Sequence, residues 1–237
     1  MGFECVSRTH VGLRRKTNED ALLVRTAHGL WAVADGMGGH EAGEVASGMI
    51  VDALVRLQIT DEPEQVVGDA VAALGRVNRQ LIELAHADPR PKTIGSTVVG
   101  IAIGGDRLGC FWAGDSRAYR LRGGALHRLS RDHSLVQGLV DAGMLEPEEA
   151  EHHPDANVIT RAVGAATSLT VDTLFDDVAS GDLYLLASDG LTRVMNDDEL
   201  GAALGEPSLE AVADGLIDTV LERGAPDNVS LVIVRAG

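Results

Sequence analysis

The sequence predicts an α+β fold in which helices lie outside two packed sheets. Short apolar runs bounded by Gly, Asp or Asn recur along the chain, glycine-centred hairpin signals separate several of them, and a few longer stretches carry one apolar stripe at helical spacing. The hairpin signals imply sequential antiparallel pairing, and long helices beside many strands imply layers.

Strands are expected near Glu4–Arg8, Ala21–Arg25 and Leu30–Ala34, with His28-Gly29 turning the chain between the last two. A helix follows over Glu41–Leu57, where Ala42, Val45, Ala46, Met49, Ile50, Ala53, Leu54 and Leu57 keep the 3,4 spacing of a buried stripe. Val67, Ala70, Val71, Leu74, Val77, Leu81 and Ala85 define a second helix. Next come strands over Thr97–Ile103, Leu108–Ala113, Ala118–Arg122 and Leu126–Leu129, divided by Gly104-Gly105-Asp106 and Arg122-Gly123-Gly124. The polar stretch 132–164 is an insertion between strands, a candidate flap. There Asp132 is placed to cap a helix over Ser134–Ala142, and Pro147 suits the first turn of a short helix over Glu148–His152. Strands over Leu169–Leu174, Leu183–Ala187 and Val229–Val234 remain, with a helix from Leu209 to Leu221 capped by Ser208 and ended by Gly224.

With 237 residues and 45% apolar content, one domain over 1–237 with a flap at about 132–164 is expected. The formal charge of −16 argues against electrostatic binding to nucleic acid or an anionic membrane, which need clustered Lys and Arg. No window approaches the roughly 20 apolar residues of a membrane span, and the N-terminus MGFECVSRTH has no apolar signal region, so a cytoplasmic protein is expected. No exposed apolar stripe is evident, which makes a monomer the default. Cys5 and Cys110 lie in strands without CxxC spacing and read as buried thiols.

The chemistry sits in acidic residues at strand ends and turns: Asn18-Glu19-Asp20, Asp35-Gly36, Asp115-Ser116, Asp189-Gly190 and Asp227-Asn228. Carboxylates this dispersed meet only through the fold, and once gathered they repel unless hard cations such as Mg²⁺ or Mn²⁺ neutralise them. A metal-assisted hydrolase is the first hypothesis.

Six ordered elements now fall into place: Arg15-Lys-Thr-Asn-Glu-Asp20, Val33-Ala-Asp-Gly-Met-Gly-Gly-His40, Gly95-Ser-Thr97, Gly114-Asp-Ser-Arg117, Ala187-Ser-Asp-Gly190 and Asp227-Asn-Val229. The series resembles the metal-dependent protein phosphatases of the PPM, or type 2C, family, in order from about Arg8 to Val234. The resemblance implies a four-layer α/β/β/α sandwich with a centre for two Mn²⁺ or Mg²⁺ ions at one end. Asp35 would bridge the ions, Asp189 and Asp227 would complete one shell, and Glu19 with the Gly36 carbonyl would hold the other, largely through waters. Asp20 matches an acidic position beside the cluster, and Asp115 with Asp189 matches the weaker third-metal site of bacterial relatives. Asn18 and Asn228 read as turn-forming or supporting residues.

Arg15 is the candidate phosphate clamp, because a guanidinium holds two phosphoryl oxygens in a fork. Many eukaryotic relatives carry a His general acid directly after the Asp-Gly pair, where this chain has Met37. His40 then stands as the candidate acid, or as a residue orienting the helix that follows. His133, His152 and His153 read as surface residues of the flap, and Arg161 as a phosphopeptide contact or a lid anchor. The implied activity is hydrolysis of phosphoserine and phosphothreonine by a metal-activated water, opposing a bacterial Hanks-type kinase and acting on its substrates. Two alternatives remain open: a phosphatase of small phosphomonoesters or of a phosphorylated anti-sigma-antagonist, and a catalytically silent binding module.

Overall fold

The computed structural model describes residues 2–38, 42–87, 93–150 and 153–237. In chain order the elements are β1 (Phe3–His10), β2 (Asp20–Arg25), β3 (Leu30–Met37), α1 (Ala42–Val55), α2 (Pro63–Ala87), β4 (Gly95–Ser96), β5 (Val98–Gly104), β6 (Arg107–Ala113), β7 (Arg117–Arg122), β8 (Ala125–Arg128), α3 (Leu135–Asp141), α4 (Pro147–Ala150), β9 (Asp172–Asp177), β10 (Leu183–Ala187), α5 (Asp189–Thr192), α6 (Asp197–Leu204), α7 (Leu209–Glu222) and β11 (Val229–Ala236).

The strands form two antiparallel sheets, one ordered β1-β11-β10-β7-β8 and the other β2-β3-β5-β6-β9, with β4 joined to β3. Burial on both faces explains why the central strands are continuously apolar instead of alternating. In β3, Trp31 and Val33 point into the core between the sheets, while Leu30, Ala32 and Ala34 point outward beneath α1 and α2. In β10, Tyr184 and Leu186 face the inter-sheet core while Leu183, Leu185 and Ala187 lie under α5, α6 and α7. The result is the four-layer order expected: α1 and α2, sheet, sheet, then α5 to α7.

Helix α1 presents Ala42, Ala46, Ile50 and Leu54 to its sheet, whereas Val45 of the expected stripe is exposed. Ser208 caps α7 by accepting a hydrogen bond from the Ala211 amide, and Gly224 takes the left-handed conformation just past its end.

Four expectations need correction. Ser134, not Asp132, caps the first helix of the 132–164 segment, because the Asp132 carboxylate is taken up by Arg117 and Arg128. Strand β9 runs from Asp172 to Asp177 instead of Leu169 to Leu174. Helix α6 has no counterpart among the expected elements, although Asn196 and Glu199 form a full capping box, the N-x-x-E spacing that announces a helix start. His133 is buried, not on the surface, its ring stacked on Trp112. The expected helix start at Glu41 and the residues His40 and His152 lie outside the described residues.

Candidate active site

Antiparallel pairing explains why acids scattered through the sequence meet. Asp20 opens β2 with Glu19 just before it, Asp35 lies near the end of β3, Asp115 follows β6, Asp189 follows β10 and Asp227 precedes β11. The register of β2 and β3 sets Asp20 directly opposite Asp35, a like-charge pair that costs stability unless something neutralises it. The fold also brings Asp35 within electrostatic reach of Asp115, Asp189 and Asp227.

Each carboxylate has its own fixings. The Asp35 backbone is tied to Thr97: the Thr97 amide donates to the Asp35 carbonyl at 2.9 Å, and Thr97 Oγ1 in turn meets Ser116 Oγ at 2.6 Å. Asp20 Oδ2 accepts from Ser188 Oγ at 3.0 Å, and Asp227 Oδ2 accepts from Arg15 Nη2 at 2.6 Å. Arg193 reaches two acids, Asp115 Oδ2 at 2.8 Å and Asp189 Oδ2 at 3.0 Å. Asn228 is buried and accepts from the Glu19 amide at 2.8 Å while donating to the Val11 and Thr17 carbonyls, which clamps the loop before β2 onto the start of β11.

Close backbone approach accounts for two of the glycines. A Cβ on Gly36 would lie 2.1 Å from the Gly43 carbonyl oxygen, so only glycine lets the end of β3 meet the first turn of α1, beside the Glu19 carboxylate. A Cβ on Gly190 would lie 1.8 Å from the Asn228 carbonyl oxygen, which keeps α5 against the Asp227 turn.

The electrostatics are those of charges crowded out of water. Burial, reinforced by Asp189, Asp20, Asp115 and Asp227, holds the Asp35 carboxyl well above the usual range. Burial pushes Asp20 up to about 6 despite hydrogen bonds from Ser230 and Ser188. It does the same to Asp115, with Asp189 adding repulsion and Arg193 opposing it. Asp189 is raised by burial and by Asp227 while Arg193 opposes the shift. Two buried carboxylate oxygens, Asp20 Oδ1 and Asp115 Oδ1, have no hydrogen-bond partner. Unpaired, repelling, oxygen-only donors are the set that a hard divalent cation suits, so these residues fit Mg²⁺ or Mn²⁺. Arg15 and Arg193 balance part of the charge, and among the described residues no three acidic, His or Cys side chains converge as a ready ligand set.

Sequence reasoning missed several supporting residues. Arg193 follows Asp189 at the i,i+4 spacing of a helical ion pair, a signal present in the chain. His133 Nδ1 accepts from the Gly114 amide at 3.1 Å, next to Asp115, while Nε2 lies 3.2 Å from Asp172. Desolvation lowers the His133 pKa, and no local pattern announces that role. Arg161 pairs with Asp172 and contacts His133, anchoring the segment after α4 to β9. A cleft of about 750 Å³ runs from Asp115, Asp189 and Arg193 past Arg117 to Val136 and Val140 of α3.

The family model described as protein phosphatase 2C matches residues 9–223. The serine/threonine protein phosphatase PstP of Mycobacterium tuberculosis is 37% identical over 227 residues, 96% of this chain; the chain spans 44% of that relative's length. The solved structure of PppA, described as a key regulatory component of T6SS in Pseudomonas aeruginosa, superposes with a TM-score of 0.93 at 43% identity, covering 100% of this chain and 99% of that one. A catalytic domain of PstP in complex with two manganese ions superposes with a TM-score of 0.88 at 35% identity, covering 98% of this chain and 97% of that one. Fold and relatives alike are those of serine/threonine phosphatases. The chain belongs to the protein phosphatase 2C family.

Proposed function

We propose that this chain is a metal-dependent protein phosphatase that removes phosphate from phosphoserine and phosphothreonine. The observation that carries the reading is the gathering of Asp20, Asp35, Asp189 and Asp227 at one end of the sandwich, with a buried Asp20 oxygen left unpartnered. Asp35, Asp189 and Asp227 would hold one ion, and Asp35, Glu19 and the Gly36 carbonyl the other; all are oxygen donors, suited to Mn²⁺ or Mg²⁺. When bound, such ions supply a nucleophilic water at neutral pH and charge to offset the phosphoryl oxygens.

The protein's own groups do the rest. Thr97 and Ser116 hold the Asp35 backbone in place, and Asn228 fixes the approach of Glu19. Arg15, 53% exposed and adjacent to the acids through Asp227, is placed to exchange that carboxylate for two phosphoryl oxygens. The cleft beside Asp189, walled by α3, leaves room for the polypeptide around the phosphoresidue. In this reading 132–164 is a flap on a single domain, and Asp115 is a supporting acid.

The partners we infer are phosphorylated proteins in the cytoplasm, a Hanks-type kinase and its substrates among them, acted on by a monomer. Among the described residues no helix is long and apolar enough to cross a membrane. The test is phosphate release from a phosphothreonine peptide, a phosphoserine protein domain and a small phosphomonoester, each with Mn²⁺, Mg²⁺ or EDTA. Metal-dependent turnover of the peptide and the domain supports the reading. Turnover of the small ester alone would replace it with a metabolite phosphatase, and none with any metal would point to a binding role.

A further inference from the structure

Asp115 follows β6 and Asp189 follows β10, and both carboxylates lie within ion-pair distance of one guanidinium. Asp115 is only 5% exposed, and one of its oxygens has no partner at all. Two carboxylates so placed need a cation. In this chain a side chain supplies it. Arg193 sits one helical turn beyond Asp189, its amide bonded to the Asp189 carbonyl at 2.9 Å, and its guanidinium spans the pair, Nε on Asp189 at 3.0 Å and Nη2 on Asp115 at 2.8 Å.

We propose that Arg193 is a tethered counter-cation for the Asp115–Asp189 pair and excludes a divalent ion from it, so that the centre of this protein works with two ions and not three. The inference rests on the metal-centre reading above and adds to it a positioning residue that sets ion number. The chemistry is competition for the same two carboxylates. The Arg193 guanidinium, held by helix geometry, makes a charge-assisted hydrogen bond to Asp115 and an ion pair to Asp189, and a hydrated Mn²⁺ or Mg²⁺ would have to displace that charge to gain both carboxylates. Removing the charge frees both acids and leaves two buried or half-buried carboxylates that protonation or an added cation must neutralise.

The experiment is equilibrium binding of Mn²⁺ to EDTA-stripped full-length protein, with free ion counted by electron paramagnetic resonance up to millimolar concentration. Wild type, Arg193→Met, Arg193→Gln, Arg193→Lys and the double variant Arg193→Met/Asp115→Asn are compared, each first checked for a cooperative thermal melt. Wild type and Arg193→Lys are expected to bind two ions. Arg193→Met should bind a third at least tenfold more tightly than wild type does, and adding Asp115→Asn should abolish that third ion. Arg193→Gln carries the same expectation should the Met variant fail to fold. Three ions in wild type, or two in both wild type and the neutral variants, would overturn the role of Arg193 while leaving the metal centre standing. No binding by any of the proteins would overturn both.

Discussion

Replacing Asp132 with alanine tests the wall of the cleft. Asp132 is 9% exposed and accepts hydrogen bonds from Arg117, itself 14% exposed, and from Arg128, whose Nε is already without a partner. These contacts join β7 and β8 to the segment leading into α3. The two guanidiniums hold the Asp132 carboxyl below its usual range against the opposing effect of burial. Truncating one partner of a buried ion pair leaves an uncompensated charge and costs about 3–5 kcal/mol. Because Arg128 is partly open to water, the low end applies, about 3 kcal/mol, and for a chain of this size that corresponds to a fall in Tm of about 6–12 °C. Asp132→Asn, which keeps the shape and one acceptor, should fall between wild type and Asp132→Ala. The sign with pH follows from the lowered pKa: the contribution is present above the unfolded value of 3.8 and is lost as pH falls through the folded value, so the gap between the proteins closes in strong acid. Differential scanning calorimetry at pH 7 is the assay. A Tm change within 2 °C would refute the view that this network holds the 132–164 segment to the sheet.

Arg15→Ala should raise KM and lower kcat together on a phosphothreonine peptide, since the clamp acts on bound substrate and on the developing charge; unchanged kinetics would place the clamp elsewhere. Asn228→Ala leaves the Glu19 amide and the Val11 and Thr17 carbonyls without their partner and should cost about 1–3 kcal/mol, read by urea melts. In EDTA, Asp20→Asn should be more stable than wild type at pH 7.5, because burial raises the Asp20 pKa to about 6. A raised folded pKa means that the folded state gains protons first, so the advantage of the amide should shrink as pH falls from 6 toward 4; Mn²⁺ should reverse the order at pH 7.5. Thermal melts over that range, with and without metal, decide it.

Regular burial was legible in the chain. The run Leu30-Trp31-Ala32-Val33-Ala34 is apolar on both faces because it lies between a helical layer and a second sheet, and its short length with Gly29 before it and Asp35-Gly36 after it marks it as a central strand. Edge strand β9 was harder. Its residues alternate between half-buried and exposed, and polar tertiary contacts such as Asp172 with His133 and Arg161 help fix it, so apolarity points three residues too early. His133 shows the same limit, since polarity suggested the surface while its burial depends on Trp112 and Gly114, remote in sequence. The acidic cluster was legible because its members carry turn-forming neighbours at strand ends. The neutralisation of Asp227 by Arg15 was not, because an ion pair across 212 residues leaves no local signature; the Asp189–Arg193 spacing was a local signal, but the short α5 offered no helical period to read it by.

In the proposed reading the acidic end is a metal centre that Arg15 serves. Anomalous diffraction at the manganese edge from crystals equilibrated with Mn²⁺ tests it most directly. The predicted map has peaks bounded by Asp35, Asp189, Asp227 and Glu19, with Arg15 released from Asp227. A map without peaks there, and with the Arg15–Asp227 pair intact, would contradict it.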